Sequence, residues 1–275
     1  MLPVTNPYIN IASEAARKAG DLMLKFRHRL EGIPVERKAR HDYVTDVDRA
    51  CEQAIREHIL RHHRGHSILG EEGGLVGDSE YQWIIDPLDG TSNYLHGFPH
   101  YSVSIALAIQ GRIEHGVIYD PLREELFWAS RGMGAFVNNQ RVRVTGRKDL
   151  SGALVGTAFP FRTRRLMPAY QAMFESVFDK VEDIRRAGTA SLDLAYVACG
   201  RLDAYFELNL QPWDIAAGAL MVQEAGGVVM DVIGGEKWLD TGHILAAPFK
   251  LITPLRHAIE PHVTDGMRER LTHGR

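Results

Sequence analysis

The sequence predicts a layered α/β fold, and three observations carry that expectation. Apolar residues recur at helical spacing over roughly the first 60 positions. Short β-branched and aromatic runs separated by turn signals follow up to residue 144. From residue 153 onward, strand-length and helix-length segments alternate.

Taken in order, Asn6-Pro7 reads as a helix cap followed by proline at the first helical position, with Tyr8, Ala12, Ala15, Ala19, Leu22 and Phe26 forming one apolar face. Residues 32–43 mix Gly, Pro and basic side chains. Thr45 then caps a second helix that packs through Val47, Cys51, Ala54, Ile55 and Ile59 and puts Asp48 in its first turn. Strands are expected at 67–69, 83–85, 102–109, 113–119 and 125–129, with Gln110-Gly111 as a hairpin turn. Asn138-Asn139 joins 135–137 to 141–144, completing an antiparallel meander. The second half reads as a strand at 153–156, helices at 167–178 and 191–199, and a strand at 204–207. A helix at 213–225 stopped by Gly226-Gly227, strands at 228–230 and 244–246, and a helix at 251–259 complete it. Neither a repeat nor a long linker interrupts the pattern. One domain of two joined halves is therefore expected, about 1–150 and 151–265, with 266–275 as a flexible tail.

Composition narrows the function. The 275 residues, 45% apolar and 24% charged, suit a folded globular chain with a full core. A net charge of −3 argues against a surface built wholly to neutralise nucleic-acid phosphates. Cys51 and Cys199 lack CxxC spacing and read as buried fillers, which fits a reducing cytoplasm. The N-terminal stretch has no signal-peptide core, and the longest strongly apolar run, 102–109, is far short of the ~20 residues that cross a bilayer, so neither export nor a membrane span is expected.

Three segments carry chemistry. In Trp83-Ile84-Ile85-Asp86-Pro87-Leu88-Asp89-Gly90-Thr91-Ser92-Asn93, apolar residues deliver two carboxylates at a strand end, Pro87 stiffens the corner and Gly90 permits a tight turn. Asp86 and Asp89 suit an oxygen-seeking divalent ion such as Mg²⁺ or Mn²⁺, with the Leu88 carbonyl as a neutral donor, and the amides of Gly90 and Thr91 suit a phosphate. An ordinary Asp- and Gly-rich turn is the competing reading. Leu69-Gly70-Glu71-Glu72-Gly73-Gly74 places adjacent like charges after a strand, either beside a cation or as a solvated loop. In Pro212-Trp213-Asp214-Ile215-Ala216-Ala217-Gly218, Asp214 stands in a helix's first turn, where the macrodipole alone favours an acid.

The combination resembles the inositol monophosphatase family of metal-dependent, lithium-sensitive phosphatases. That family carries a GEE turn, a W-[VI]-[IVL]-D-P-[IL]-D-G-T-[TS]-N segment and a W-D-x-A-A-G helix start, and all three occur here in order. The resemblance runs from Val44-Thr45-Asp46-Val47-Asp48 through Arg185-Arg186-Ala187-Gly188-Thr189-Ala190 to Glu224-Ala225-Gly226-Gly227. It is strongest toward the bacterial members known as extragenic suppressors, which share a stretch like Leu192-Asp193-Leu194-Ala195-Tyr196-Val197-Ala198. The resemblance implies a five-layer αβαβα sandwich, a homodimer, and two or three Mg²⁺ held by Glu71, Asp86, the Leu88 carbonyl, Asp89 and Asp214. It further implies that Thr91 and Asp48 orient the attacking water beside Glu71, that Gly90, Thr91 and Ser92 face phosphate, and that Arg185, Gly188, Thr189, Ala190 and Glu207 line the alcohol side. The implied reaction is hydrolysis of myo-inositol 1-phosphate or a similar polyol phosphate. Fructose 1,6-bisphosphate, histidinol phosphate and 3′-phosphoadenosine nucleotides are the competing substrates, and Asn93 favours the inositol branch over the histidinol branch. Ser92 and Tyr94 depart from the commoner Thr and Phe, and Gln211 occupies a variable position. Close bacterial relatives also act with antitermination factors and RNA polymerase in ribosomal RNA synthesis, which makes a partner-binding role the second expectation.

Other signals read as structural. His58, His62, His63 and His66 lack a cysteine or carboxylate to close a zinc set and are expected on a solvated basic helix face. Gly73-Gly74 and Gly132-Met133-Gly134 read as turns. Basic clusters at Arg37, Lys38 and Arg40, at 141–148 and at 162–165 read as solvated faces, the first near the entrance to the site. The chain lacks a GxxxxGK[ST] phosphate loop, so an NTPase finds no support.

Overall fold

The computed structural model describes residues 6–27, 35–39 and 42–269. Helix α1 (Pro7–Arg27) starts where the Asn6 side chain accepts hydrogen bonds from the Tyr8 and Ile9 amides at 2.9 and 3.3 Å. Its buried face, rich in Ala12, Ala15, Ala16 and Ala19, lets the backbone approach α2 (Asp46–His62) closely enough for the Cys51 thiol to reach the Ala19 carbonyl at 3.5 Å. Between them lies a hairpin, β1 (Val35–Ala39) and β2 (Asp42–Thr45), in the stretch that the sequence left irregular. Arg37 and Lys38 fall on β1, and Arg40 lies outside the described residues.

The predicted meander is present. Strands β3 (Ser67–Gly70), β4 (Gly74–Val76), β5 (Tyr81–Asp89), β6 (Ser102–Ile109), β7 (Arg112–Asp120), β8 (Glu125–Ser130), β9 (Gly134–Val137) and β10 (Gln140–Val142) form one sheet in the order β10-β9-β8-β7-β6-β5-β3-β4. The run from β5 to β10 is antiparallel throughout, and β3 joins β5 in parallel. Helix α3 (Thr91–Leu95) follows β5 directly. After α4 (Met167–Phe178), α5 (Ala190–Ala198), α6 (Pro212–Glu224), α7 (Trp238–Thr241) and α8 (Phe249–Ile259) are placed, the strands β11 (Leu154–Thr157), β12 (Asp183–Arg185), β13 (Ala204–Glu207), β14 (Gly227–Asp231) and β15 (Ile244–Pro248) make a second sheet, ordered β12-β11-β13-β15-β14. The edge strands β4 and β12 escaped sequence reading because each has three residues and too few apolar side chains to show a period.

Alternation along the strands sorts side chains into three cores. Trp83, Ile85, Val103, Ile105, Val117 and Trp128 face α1 and α2. Ile84, Ala106, Ile118, Phe127 and Ala129 face the opposite way, onto α5 and α6, which also receive Tyr205, Ile244 and Ala246 from the second sheet. That sheet turns Val155, Phe206, Leu245 and Ala247 to α4 and α8. The result is five layers, αβαβα, with α5 and α6 buried on both sides.

Two expectations are corrected here. The tail expected from residue 266 begins in α9 (Asp265–Glu269), with Met267 buried against the third core; residues 270–275 lie outside the described residues. The four histidines do not form one solvated face; of them His62 alone is exposed. His58 is 4% exposed, between Lys18 (2.7 Å) and Glu14 (3.3 Å). His63 stacks on His66 with ring centres 4.4 Å apart, and the Trp83 indole N–H donates to His66 Nδ1 at 3.0 Å. No described helix is long and apolar enough to cross a membrane.

Candidate active site

The two carboxylates of the Asp86–Asp89 segment are brought to one side by a bulge. Residues three apart on a regular strand point to opposite faces. Pairing of β5 with β6 is regular up to Asp86 opposite Ser104, then resumes at Asp89 opposite Ser102, so β5 carries one extra residue. Pro87, which has no N–H to offer a ladder, occupies that irregularity. The strand kinks at Pro87, the corner expected there, and runs on to Asp89 beyond the 83–85 expected, and both carboxylates line one cleft.

That cleft collects residues from both sheets: Glu71 after β3, Asp86, Leu88 and Asp89 on β5, Gly90 to Ser92 at the start of α3, Gly188 before α5, Glu207 at the end of β13 and Asp214 in the first turn of α6. Glu52 on α2, which sequence reading passed over, builds the turn that carries Glu71. Its carboxylate, 3% exposed, accepts the Glu72 and Gly73 amides at 2.8 and 2.9 Å. A Cβ at Gly70 or Gly73 would lie 2.6 Å from that carboxylate, so the glycines flanking Glu71 and Glu72 are there for close approach. Asp89 joins the halves: its Oδ2 accepts the Ser191 amide at 2.8 Å and the Ser191 hydroxyl at 2.6 Å. Asn93 adds a second tie, donating to the carbonyls of Ala187 (2.9 Å) and His100 (2.8 Å). Asp214 caps its own helix by accepting the Gln211 amide at 2.7 Å.

The charge balance of this floor is unfavourable for the bare protein. Burial, then the charges of Glu71, Asp89 and Asp214, hold Asp86 well above the usual carboxylate range. Burial and Asp214 push Asp89 up to about 7 against the lowering effect of Ser191. Glu207 is raised to about 8, chiefly by burial, while the Tyr205 hydroxyl donates to it. Beneath them Asp193 is also held well above its ordinary range by burial and then by Glu207 and Asp89; its Oδ2 has no hydrogen-bond partner among the described residues. A counter-charge is supplied by Arg162, 3.7 Å from Glu71. Crowded carboxylates with a backbone carbonyl between them fit hard divalent cations, which take oxygen donors and relieve the mutual repulsion. Among the described residues no three such side chains already close on a single point; one oxygen each of Asp86, Asp89 and Asp214 is tied to a backbone amide.

The predicted water-orienting pair is in contact, with the Thr91 hydroxyl 3.0 Å from Asp48 Oδ1 and 3.1 Å from the Leu88 carbonyl. Three residues expected on the alcohol side are not brought into the cleft. Arg185 is exposed and paired with Asp183, Thr189 is buried with its hydroxyl on the His100 carbonyl, and Ala190 belongs to the central core. In their place the structure supplies residues 159–163 and 208–210: the basic cluster at 162–165, read as a solvated face, turns Arg162 into the cleft toward Glu71, and residues 208–210 carry no charge or spacing pattern that marks them in advance.

Residues 5–263 match the inositol monophosphatase family. The chain belongs to that family. A Nus factor SuhB from Pseudomonas aeruginosa is 50% identical over 268 residues, covering 95% of this chain and 99% of that protein. The solved extragenic suppressor protein suhB of Bartonella henselae superposes with a TM-score of 0.91 at 41% identity, over 94% of this chain and all of that one. An inositol monophosphatase from Anabaena gives a TM-score of 0.83 at 39% identity, over 92% and 95% of the two chains. Fold and family thus agree.

Proposed function

We propose that this protein is a Mg²⁺-dependent phosphomonoester hydrolase that converts myo-inositol 1-phosphate, or a closely similar polyol phosphate, and water to the free polyol and phosphate by direct in-line attack. The observation that carries the reading is the convergence of Glu71, Asp86, Asp89 and Asp214, from three separate segments, on a cleft that also holds the Gly90–Ser92 turn. Glu71, Asp86, the Leu88 carbonyl, Asp89 and Asp214 are the donors that would hold two or three ions. When bound, Mg²⁺ lowers the pKa of water, neutralises charge on the phosphoryl oxygens and stabilises the departing alkoxide. Thr91, with its hydroxyl proton directed to Asp48, offers oxygen lone pairs to the attacking water, and Asp48 is placed to draw the proton away. The first amides of α3 have no intrahelical acceptors and lie where the phosphate enters. Glu207, held by Tyr205, bonds the alcohol hydroxyls.

Phosphate release from polyol, sugar, histidinol and nucleotide phosphates, with and without Mg²⁺, tests this; the polyol ester should be hydrolysed in a Mg²⁺-dependent way, and no release from any of them would overturn it. Lithium inhibition, homodimer assembly and a cytoplasmic location belong to the same reading. The relatives called Nus factors favour a second role, binding transcription antitermination factors or RNA polymerase through a protein surface. Asp86→Asn separates the two roles, because it should abolish turnover and leave partner binding intact.

A further inference from the structure

The rim of the cleft carries a cation whose donors are not engaged. Arg186, exposed between β12 and α5, has its guanidinium carbon 5.9 Å from the centre of the Phe159 ring and 6.0 Å from that of Phe161, within cation–π range of both. Among the described residues it makes no hydrogen bond or ion pair, whereas Arg162 beside it is paired with Glu71. Phe159 and Phe161 line the cleft yet remain 42% and 38% exposed, so two apolar rings stand at its mouth with a guanidinium between them and solvent. Position is fixed from the other side by Gly188: a Cβ there would come 3.0 Å from Arg186 Nη1, so the guanidinium fills the space over a glycine of the cleft wall. Its charge reaches Glu207 and Asp193, which places it on the alcohol side and away from the Asp86–Asp89 end.

A guanidinium held against ring faces keeps its N–H edge for a planar, two-pronged acceptor, and its side-chain freedom is already restricted before a ligand arrives. A neutral polyol offers no group that matches that fork. We propose that Arg186, held by Phe159 and Phe161, binds a second oxyanion on the alcohol portion of the substrate, a carboxylate or a further phosphate, so that the site favours phosphomonoesters carrying one. This rests on the phosphatase reading of the cleft.

Two matched substrate pairs test it: glycerol 2-phosphate against 2-phosphoglycerate, which differ by a carboxylate, and myo-inositol 1-phosphate against myo-inositol 1,4-bisphosphate, which differ by a phosphate. In Arg186→Ala the kcat/KM ratio of the member with two anionic groups to the member with one should fall about tenfold, the equivalent of 1.4 kcal/mol, through KM and not kcat. Arg186→Lys, which keeps the charge but loses the fork, should fall in between. A fall in one pair alone identifies which oxyanion is read. A ratio unchanged within about twofold in both pairs overturns the proposal while leaving the phosphatase reading intact. If the wild-type protein hydrolyses none of the four esters with Mg²⁺ present, the phosphatase reading fails instead. Calorimetric binding of 2-phosphoglycerate and the bisphosphate to wild type and Arg186→Ala then decides the role of Arg186 without turnover, equal affinities counting against it.

Discussion

Replacing Gly218 with alanine should weaken the fold and the site together. Gly218 is the glycine that ends the Trp213-Asp214-Ile215-Ala216-Ala217-Gly218 segment on α6, and an ideal Cβ there would stand 2.5 Å from Leu194 Cβ and 2.9 Å from Leu194 Cδ1 on α5. Carbons pack at about 3.5–4.0 Å, so the two helices have to part by about 1 Å. Leu194 is fully buried between the sheets and has no space to rotate into. Overpacking of this kind costs about 1–3 kcal/mol, which for a chain of this size lowers Tm by about 2–10 °C. Asp214 lies one turn earlier on the same helix, and a displacement near 1 Å in a positioned group lowers rates by up to ~100-fold. Differential scanning calorimetry and phosphate release on the same preparation measure both effects. The double variant with Leu194→Ala supplies the control, because the added methyl then fills part of a void and the pair should be at least about 1 kcal/mol less destabilised than the sum of the single changes. Unchanged Tm and unchanged turnover in Gly218→Ala, or strict additivity in the double variant, would refute the close-packing argument.

Glu52→Ala should leave the Glu72 and Gly73 amides without their acceptor, costing about 2 kcal/mol or more in urea unfolding and raising the Mg²⁺ concentration for half-maximal activity; Glu52→Gln, which keeps one acceptor oxygen, should recover part of both. Burial lowers His100 to about 4, and its Nε2 has no partner among the described residues. Because the unfolded chain binds that proton near pH 6.5, this contribution is fully present above that value and is lost as pH falls toward about 4, by about 3 kcal/mol in all. His58, His63, His66 and His115 are lowered as well and act with the same sign, whereas the raised carboxyls of Asp86, Asp89, Asp193 and Glu207 gain stability as pH falls and oppose them, so the histidine part is read from the difference: the urea midpoint of His100→Gln should rise relative to that of the wild type between pH 7 and 5. Thr91→Ala should lower kcat by ~100-fold or more with a smaller change in KM, and Thr91→Ser should keep most activity; a change in KM alone would make Thr91 a binding residue.

Much of this was legible from local rules. Periodicity placed the meander and most helices because each segment has a face that must be buried, and Asn6-Pro7 marked the start of α1 through its capping chemistry. The carboxylates were legible because Asp, Pro and Gly at fixed spacing limit what the backbone can do. What stayed hidden depends on contacts distant in sequence. Glu52 reads as one more helix acid until the turn at Gly70 to Gly73 folds onto it. Asp193 reads as helix interior, and only the approach of Glu207 and Asp89 makes it part of the charged floor. His58, His63 and His66 read as solvated because their partners Lys18, Tyr81 and Trp83 come from other elements. Arg185 and Arg186 look equivalent in sequence, yet one pairs with Asp183 and the other stands over the cleft mouth.

The central claim is that Glu71, Asp86, Asp89 and Asp214 make one metal-loading catalytic centre. Its most direct test is phosphate release from myo-inositol 1-phosphate as Mg²⁺ is returned to exhaustively chelated protein, in the wild type and in Asp86→Asn. The account predicts an inactive chelated protein, recovery with Mg²⁺, and a loss of at least ~100-fold in the variant, about 2.7 kcal/mol of transition-state stabilisation. Full activity after chelation, or near-normal turnover in Asp86→Asn, would contradict it.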